Sequence, residues 1–535
     1  MNGIIPAHVG STFSQRTSST KRATSLVAMA CAVATAACLA PAAAAAPVEV
    51  ASAPAHSPKP FVNEGKPRTI ITTDGEIDDL ESFVRALYYA NEVSLEGIVL
   101  SSSKFHWKGN GDDVPWFNWT DEQWVFDYID AYAEEYPNLI KHAKGYPSPE
   151  TLRSLVKVGN IENVGEMEKV TEGSELIKEA ILKDDPDRLF IQVWGGPNTT
   201  ARALKSIEEE YAGTPGWPAI QAEISRKVVL YNILDQDPTL GSYIRPNWPD
   251  IKVIDNLTQF ESLAYSWRRA GVPADQAAYL KGSFIGPNII TDHGPLASKY
   301  IGFGDGKTLN MGRPAENFVA DPTWMSFYEG IFGGPIDTYD FVSEGDSPSF
   351  MALFDFNGLR SSEDPSWGGW GGRFEATSTG WADAPDTDMA TGELDANLAQ
   401  TRWISAFQRD FAARADWGST PRYEDANHLP LTKVASGLDL SRKAGATVVL
   451  SAVGKDPDGD RLTYRWWQYL DAGTYEGTVP ISGADTTQAK LRVPIDAQPG
   501  DTIHIILEVT DDGSPALTTY ERVVLTVSGS KGKHR

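Results

Sequence analysis

Residues 69–82 read TIITTDGEIDDLES. A run of Ile and Thr leads straight into four acidic side chains, Asp74, Glu76, Asp78 and Asp79, and then into Phe83, Leu87 and Ala90 at helical spacing. Buried strand, loop and amphipathic helix form the repeating unit of a parallel α/β sheet. The same alternation continues downstream. SLEGIVLSS, RLFIQVW, KVVLYNI and IKVID read as strands, and DEQWVFDYIDAYAEEY, GSELIKEAILKD and TARALKSIEEEY as helices between them. The pattern predicts an α/β fold with helices on both faces of a parallel sheet. Between 282 and 400 Gly, Pro and Trp are dense, as in DPSWGGWGGRFE, which predicts long wrapping loops before a closing helix at 401–417.

After about residue 422 the period changes. ATVVLSAV, RLTYRWWQY, AKLRVPI, TIHIILEVT and YERVVLTV are short strands separated by turn clusters such as DPDGD and DDGSP. They predict a small all-β sandwich of immunoglobulin-like type. The expected division is an export signal at 1–46, a linker at 47–66 rich in Pro, Ala and Ser, the α/β domain at 67–420, the sandwich at 421–528 and a basic tail at 529–535.

The first segment carries Arg16, Lys21 and Arg22, then the mild apolar run SLVAMACAVATAACLA and small-residue cleavage sites in PAAAAAP. That is the layout of an export signal, which predicts a secreted or periplasmic protein. Both cysteines, Cys31 and Cys38, lie inside it, so a cleaved chain has neither disulfides nor thiolate metal sites. Cys38 is also a candidate for lipid attachment, with Thr35 where a lipobox prefers Leu. No later stretch is apolar for long enough to span a bilayer. A formal charge of −25 argues against nucleic acid as a partner, because a polyanion demands a cationic footprint.

Four carboxylates at the exit of a buried strand repel one another. Helix capping explains one or two of them. A bound cation explains all four, and oxygen donors without neighbouring Cys or His point to Ca²⁺ first and Mg²⁺ second. Such a loop also stands where ligands enter a parallel sheet, at the carboxyl ends of the strands. The KDPDGDR loop of the sandwich lacks the Gly and Glu of an EF-hand and reads as a tight turn.

TTDGEIDDL resembles the Asp-rich signature of nucleoside hydrolases, D-x-D-P-G-x-D-D, with Asp74, Asp78 and Asp79 at its second, third and fourth Asp and Thr72 at its first. WGGPNTTARAL (194–204) is similar to that family's G-P-L-T-N-x-A loop, and YNILDQDP (231–238) to its sugar-holding loop. Together with HGPL, EGDSPSF, NGLRSSEDPSWGGWGGR and DPDGDRLTYRWWQY, the pattern resembles a secreted bacterial branch with a C-terminal sandwich, some of whose members are labelled cellulose-binding. The resemblance covers essentially the whole chain after the signal.

The resemblance implies a calcium ion held by Asp74, Asp78, Asp79, the main-chain oxygen of Thr199 and a late Asp. For the last it offers Asp346 in EGDSPSF, with Asp292 in TDHGPLA as the competitor. It makes Asp74 the general base of N-glycosyl hydrolysis and Asn198, Asn232 and Asp237 substrate contacts. Among sixteen Trp, Trp194 opens the GGPNT loop and is the expected stacking platform. Two departures stand out. Gly345 precedes Asp346 where the family has His, which leaves His293 as the candidate acid. Ser101 to Ser103 replace an Asn-bearing stretch, which implies changed specificity. Two functions remain open: hydrolysis of a small N-glycoside, or non-catalytic binding of a saccharide such as cell-wall cellulose.

Overall fold

The computed structural model describes residues 65–529. The proposed export signal, both cysteines, most of the linker and most of the tail lie outside these residues.

The sheet grows outward from β1 (Arg68–Thr73), the segment that opens the acidic loop. Around it stand β2 (Ser94–Leu100), β3 (Val156–Val158), β4 (Leu189–Val193), β5 (Val228–Ile233), β6 (Lys252–Asn256), β7 (Phe374–Ala376) and β8 (Gly380–Asp383), in the order β3-β2-β1-β4-β5-β6-β8-β7. All neighbours run parallel except β7 against β8. Every residue of β1 is buried, because a central parallel strand is covered on both faces. Ile70 joins the apolar cluster with Val99, Ile191 and Leu204, while Ile71 joins the opposite one with Phe83, Ile98 and Phe411.

Helices fill both layers. On the Ile71 face lie α1 (Ile77–Tyr88) and α2 (Gln123–His142). On the Ile70 face lie α3 (Glu172–Leu182), α4 (Asn198–Tyr211) and α5 (Trp217–Lys227). Between β6 and β7 the chain wanders through short turns, and α6 (Ser347–Met351) emerges from this region. The closing helix α7 (Ile404–Ser419) packs on α1 and α2.

A two-stranded ribbon, β9 (Asp386–Thr387) with β10 (Leu394–Asp395), precedes the β-sandwich. One of its sheets contains β11 (Leu431–Val434), β13 (Thr447–Lys455), β15 (Ile481–Ser482) and β16 (Gln488–Arg492). The other contains β12 (Asp439–Lys443), β14 (Thr463–Tyr469), β17 (Thr502–Thr510) and β18 (Thr518–Ser528). Trp467 and Tyr469 of β14 and Tyr520 of β18 face the α/β layers, while Trp466 packs in the sandwich's own core. Trp403 packs against Trp467, Tyr469 and Tyr520 at 5.9, 6.0 and 5.4 Å between ring centres. Arg522 donates to the carbonyls of Leu359 and Gly368. Gly358, at φ +79°, lets its backbone press so closely on Tyr520 that a Cβ there would stand 1.9 Å from the Tyr520 carbonyl oxygen.

Strand order places the site. From β1 the sheet runs to β2 and β3 on one side and to β4, β5 and β6 on the other. The loops after β1 and β4 therefore part at a topological switch point, the crevice where open α/β sheets bind ligands.

Candidate active site and metal centre

The acidic loop joins β1 to α1, and part of it is helix capping. Glu76 is the N-cap of α1 in a reciprocal capping box with Asp79. Asp79 accepts from the main-chain N–H groups of Asp74 (3.1 Å) and Glu76 (3.2 Å) and from the Thr73 hydroxyl (2.5 Å). Capping leaves Asp74 unexplained. Its side chain is 1% exposed, and neither carboxylate oxygen has a partner of hydrogen-bonding geometry, although Ser103, Asp79 and the Glu76 N–H lie close. A buried, unsatisfied carboxylate is costly unless something positive meets it.

Loops from across the chain converge on this position. Gly195, after β4, lies so near that a Cβ there would stand 2.9 Å from the Cβ of Asp74. From the region before α6 comes Asp346, 2% exposed. Its loop is anchored by Glu344, which accepts a buried hydrogen bond from Arg85 of α1 (2.8 Å) and further ones from Tyr300 and Ser347. From beyond β2 comes His106, fully buried, with Nδ1 3.5 Å from Asp74 Oδ2 and 3.8 Å from Glu76 Oε2. The site is roofed. Arg313 reaches down to Glu76 (2.9 Å) and Glu316 (3.2 Å), and the Thr120 hydroxyl donates to the Gly75 carbonyl (2.8 Å).

Two donor sets result. Asp78, Asp79 and Asp346 offer carboxylate oxygens within 4.8 Å of one another, and so do Asp74 and Glu76 with a ring nitrogen of His106. The cluster is thus capable of coordinating a metal ion. Burial, reinforced by the Glu76 charge, pushes the Asp74 carboxyl up to about 7. Burial and mutual repulsion hold Asp78, Asp79 and Asp346 well above the usual carboxylate range. Glu316 rises to about 8, from burial and then Glu76. A divalent cation reverses this logic by stabilising every ionised carboxylate around it. The all-oxygen set of Asp78, Asp79 and Asp346 has donors of the type calcium takes, and Asp74 stands in the neighbouring set with its oxygens unpartnered.

The other residues singled out in the sequence fall into distinct surroundings. Of the two late acids, Asp346 stands beside Asp78 and Asp79, whereas Asp292 is exposed in a left-handed turn at φ +65°. Thr199 is buried in the first turn of α4, where its hydroxyl accepts from the Asn160 N–H (2.8 Å). Asn198 spends its amide N–H groups on Ser102 and the carbonyls of Asn160 and Glu166. Asp237 accepts from the N–H groups of Asn198 and Thr239 and so ties the loop after β5 to the start of α4. Asn232, near the end of β5, is buried with neither amide atom partnered. Trp194 lies in the core with its indole N–H donated to Ser349 (2.8 Å), so no face is free for stacking at the surface. His293 pairs with Asp416 of α7 (2.9 Å) and with the Pro287 carbonyl, not with the acidic loop.

His106 is the side chain of this cluster that the sequence does not announce. It sits in an irregular stretch, SSSKFHW, with no periodic signal. One clue was available: it follows β2, the strand next to β1, so its loop opens at the same end of the sheet.

Fold and site together define an α/β protein of nucleoside-hydrolase-like fold, with an acidic cluster able to hold a metal ion at the switch point of the sheet and a β-sandwich packed against it. Residues 68–374 match the family described as "Cellulose-binding Sde182, nucleoside hydrolase-like domain", and residues 447–527 match "Cellulose-binding protein Sde0182, C-terminal domain". The chain belongs to this family. It is 30% identical, with a TM-score of 0.65, to a nucleoside hydrolase-related protein from Saccharophagus degradans associated with carbohydrate metabolism, over 87% of this chain and 100% of that one. Two effector proteins, XOO4466 and XopQ in complex with adenosine diphosphate ribose, align over 67% of this chain and 95% and 96% of theirs. Their identities of 11% and 12% and TM-scores of 0.34 and 0.33 are too low to carry functional weight. No curated protein matches the chain. Among the described residues, no helix is long and apolar enough to cross a membrane.

Proposed function

We propose that this is an exported, calcium-dependent hydrolase of N-glycosyl bonds whose specificity differs from that of ribonucleoside hydrolases. One observation carries the reading. Asp74 is buried at the switch point with both carboxylate oxygens unpartnered, beside the convergent Asp78, Asp79 and Asp346.

In this reading Asp74, Asp78, Asp79, Asp346 and the main-chain oxygen of Thr199 hold Ca²⁺. The ion supplies charge neutralisation and lowers the pKa of water beside it. Asp74 takes the proton of the attacking water on a carboxylate oxygen. Asn232, with donor and acceptor both free, orients the sugar hydroxyls. The roof formed by Thr120 and Arg313 excludes bulk water, which strengthens each of these interactions. His106 is the histidine that faces Asp74, so it replaces His293 as the residue to test for help to the leaving group.

The second reading is non-catalytic binding of a saccharide such as cell-wall cellulose. Gly345 favours it, since it stands where catalytic relatives carry His, and so does the cellulose-binding description of the matched family.

A panel of nitrophenyl and nucleobase N-glycosides, assayed with and without calcium, separates the two. Wild type should release a leaving group, and Asp74→Asn should lose on the order of 10²-fold or more in kcat while still binding ligand. No turnover of any panel member, with adsorption of the protein to cellulose, would establish the binding reading instead.

A further inference from the structure

Six buried or half-buried carboxylates meet in this crevice: Asp74, Glu76, Asp78, Asp79, Glu316 and Asp346. Among the described residues, their ion pairs come from Arg313 and His106. Once a bound ion draws the carboxylates into their ionised form, one guanidinium and one calcium ion still leave a negative balance in a buried site. A second cation would bring it close to neutrality.

The surroundings of His106 mark the place such a cation would take. His106 is fully buried, and neither ring nitrogen has a hydrogen-bond partner. Its Nδ1 faces Asp74 Oδ2 at 3.5 Å and Glu76 Oε2 at 3.8 Å. Both separations are too long for a hydrogen bond. They match the edge of a coordination tetrahedron, about 3.4 Å for bonds of about 2.1 Å. The other oxygen of Glu76 is held by Arg313, an outer-sphere contact of the kind that orients a ligating carboxylate. The main chain behind the ring is held by a tight turn in which the Ser103 hydroxyl accepts from the His106 N–H (3.2 Å) and the His106 carbonyl from the Ser103 N–H (2.9 Å).

We propose that Asp74, Glu76 and His106 form a second cation site, for a first-row transition dication of the Zn²⁺ class, beside the all-carboxylate set. One imidazole with two carboxylates suits such an ion, whereas calcium takes oxygen donors. Three protein donors leave a fourth position open, the arrangement of catalytic rather than structural zinc. Asp74 faces this site with Oδ2, which leaves Oδ1 to the calcium set or to the attacking water. The inference rests on the calcium reading only through that shared carboxylate.

The test uses the full chain, stripped with chelator, saturated with Ca²⁺ and then titrated with Co²⁺ by calorimetry and visible absorption. One Co²⁺ per chain should bind on top of calcium and give d–d bands. His106→Gln should weaken Co²⁺ at least ~10- to 100-fold, the loss known even for outer-sphere partners. It should leave the calcium-dependent rise in Tm in place, whereas Asp346→Asn should remove that rise and keep Co²⁺ binding. X-ray absorption on Co²⁺-loaded wild type should show imidazole scattering, a readout that does not depend on any variant folding. An all-oxygen shell, Co²⁺ that merely competes with Ca²⁺ for one site, or Co²⁺ binding unchanged in His106→Gln would overturn the proposal. Co²⁺ bound through His106 in a protein indifferent to calcium would sustain it and sink the calcium reading.

Discussion

Arg85 and Glu344, 259 positions apart in sequence, form a buried two-point ion pair that locks the first helix after the acidic loop to the loop that supplies Asp346. The guanidinium also lies over the Phe411 ring at 4.1 Å and donates to Gln408, so it bridges α1, α7 and the Asp346 loop at once. Removing one partner of a buried pair strands the other charge. Arg85→Met and Glu344→Gln should each cost about 3–5 kcal/mol in denaturant unfolding. The double variant should recover part of that loss, because it leaves no lone charge. Losses that add without recovery would show that the two side chains act separately.

The contact between the layers predicts a coupled unfolding. Trp403 stands at the start of α7 and presents its ring to Trp467, Tyr469 and Tyr520 of the sandwich. Tyr469 also donates to Asp386 (2.7 Å), and Asp386 answers Arg373 and Arg402. These contacts make the sandwich part of one cooperative body. Trp403→Ala should cost about 3–5 kcal/mol and split a single calorimetric transition into two. Two transitions already present in wild type would refute the coupling.

Sequence legibility followed the strength of local patterns. The runs that became β1, β2, β4, β5 and β6 were readable as short apolar or β-branched stretches, and β1 and β4 lead directly into long helices. β3, with three residues, and the pair β7–β8, set in FEATSTGWAD, carry too little periodicity to announce themselves. Charge clustering and motif resemblance singled out Asp74 and Asp346, which the fold brings to two adjacent acidic groups. His106 was not singled out, because only the packing of β2 against β1 brings it to Asp74. Trp194 shows the converse: a Trp beside a Gly-rich loop reads as a binding surface, yet its indole is used to hold Ser349 at the base of the Asp346 loop.

Acid sensitivity should arise in the sandwich, at His504. Burial first, and then the Arg522 and Arg360 guanidinium groups, hold this imidazole well below its ordinary 6.5. Its Nδ1 faces an Arg522 nitrogen at 3.1 Å, a contact in which a neutral ring accepts. The folded state therefore binds fewer protons here than the unfolded chain. The stability this contributes is complete above the unfolded pKa of about 6.5 and is lost progressively as pH falls below it. Wild-type Tm should drop across that acidic window with a slope that His504→Gln reduces. An identical pH profile for the two proteins would remove His504 as the cause.

Gly345 stands where the resemblance to nucleoside hydrolases leads one to expect His, and its surroundings give a physical reason for glycine there. A Cβ at this position would stand 2.6 Å from Asp78 Oδ2, and 3.4 and 3.5 Å from Phe260 and Ala264. The first contact is a clash with the end of a side chain, so Asp78 would turn aside while the backbone stays. Asp78 belongs to the donor set with Asp79 and Asp346, and a shift there costs the ion a ligand. Gly345→Ala should therefore leave chelator-treated protein about as stable as wild type, while shrinking the gain in Tm on adding calcium. For an ion at 100 times its Kd that gain corresponds to about 2.7 kcal/mol, and a tenfold weaker site forfeits roughly half of it. Gly345→His should do the same with an added overpacking cost of about 1–3 kcal/mol. Full calcium stabilisation in Gly345→Ala would mean that Asp78 is not a ligand, and would strike it from the proposed calcium set.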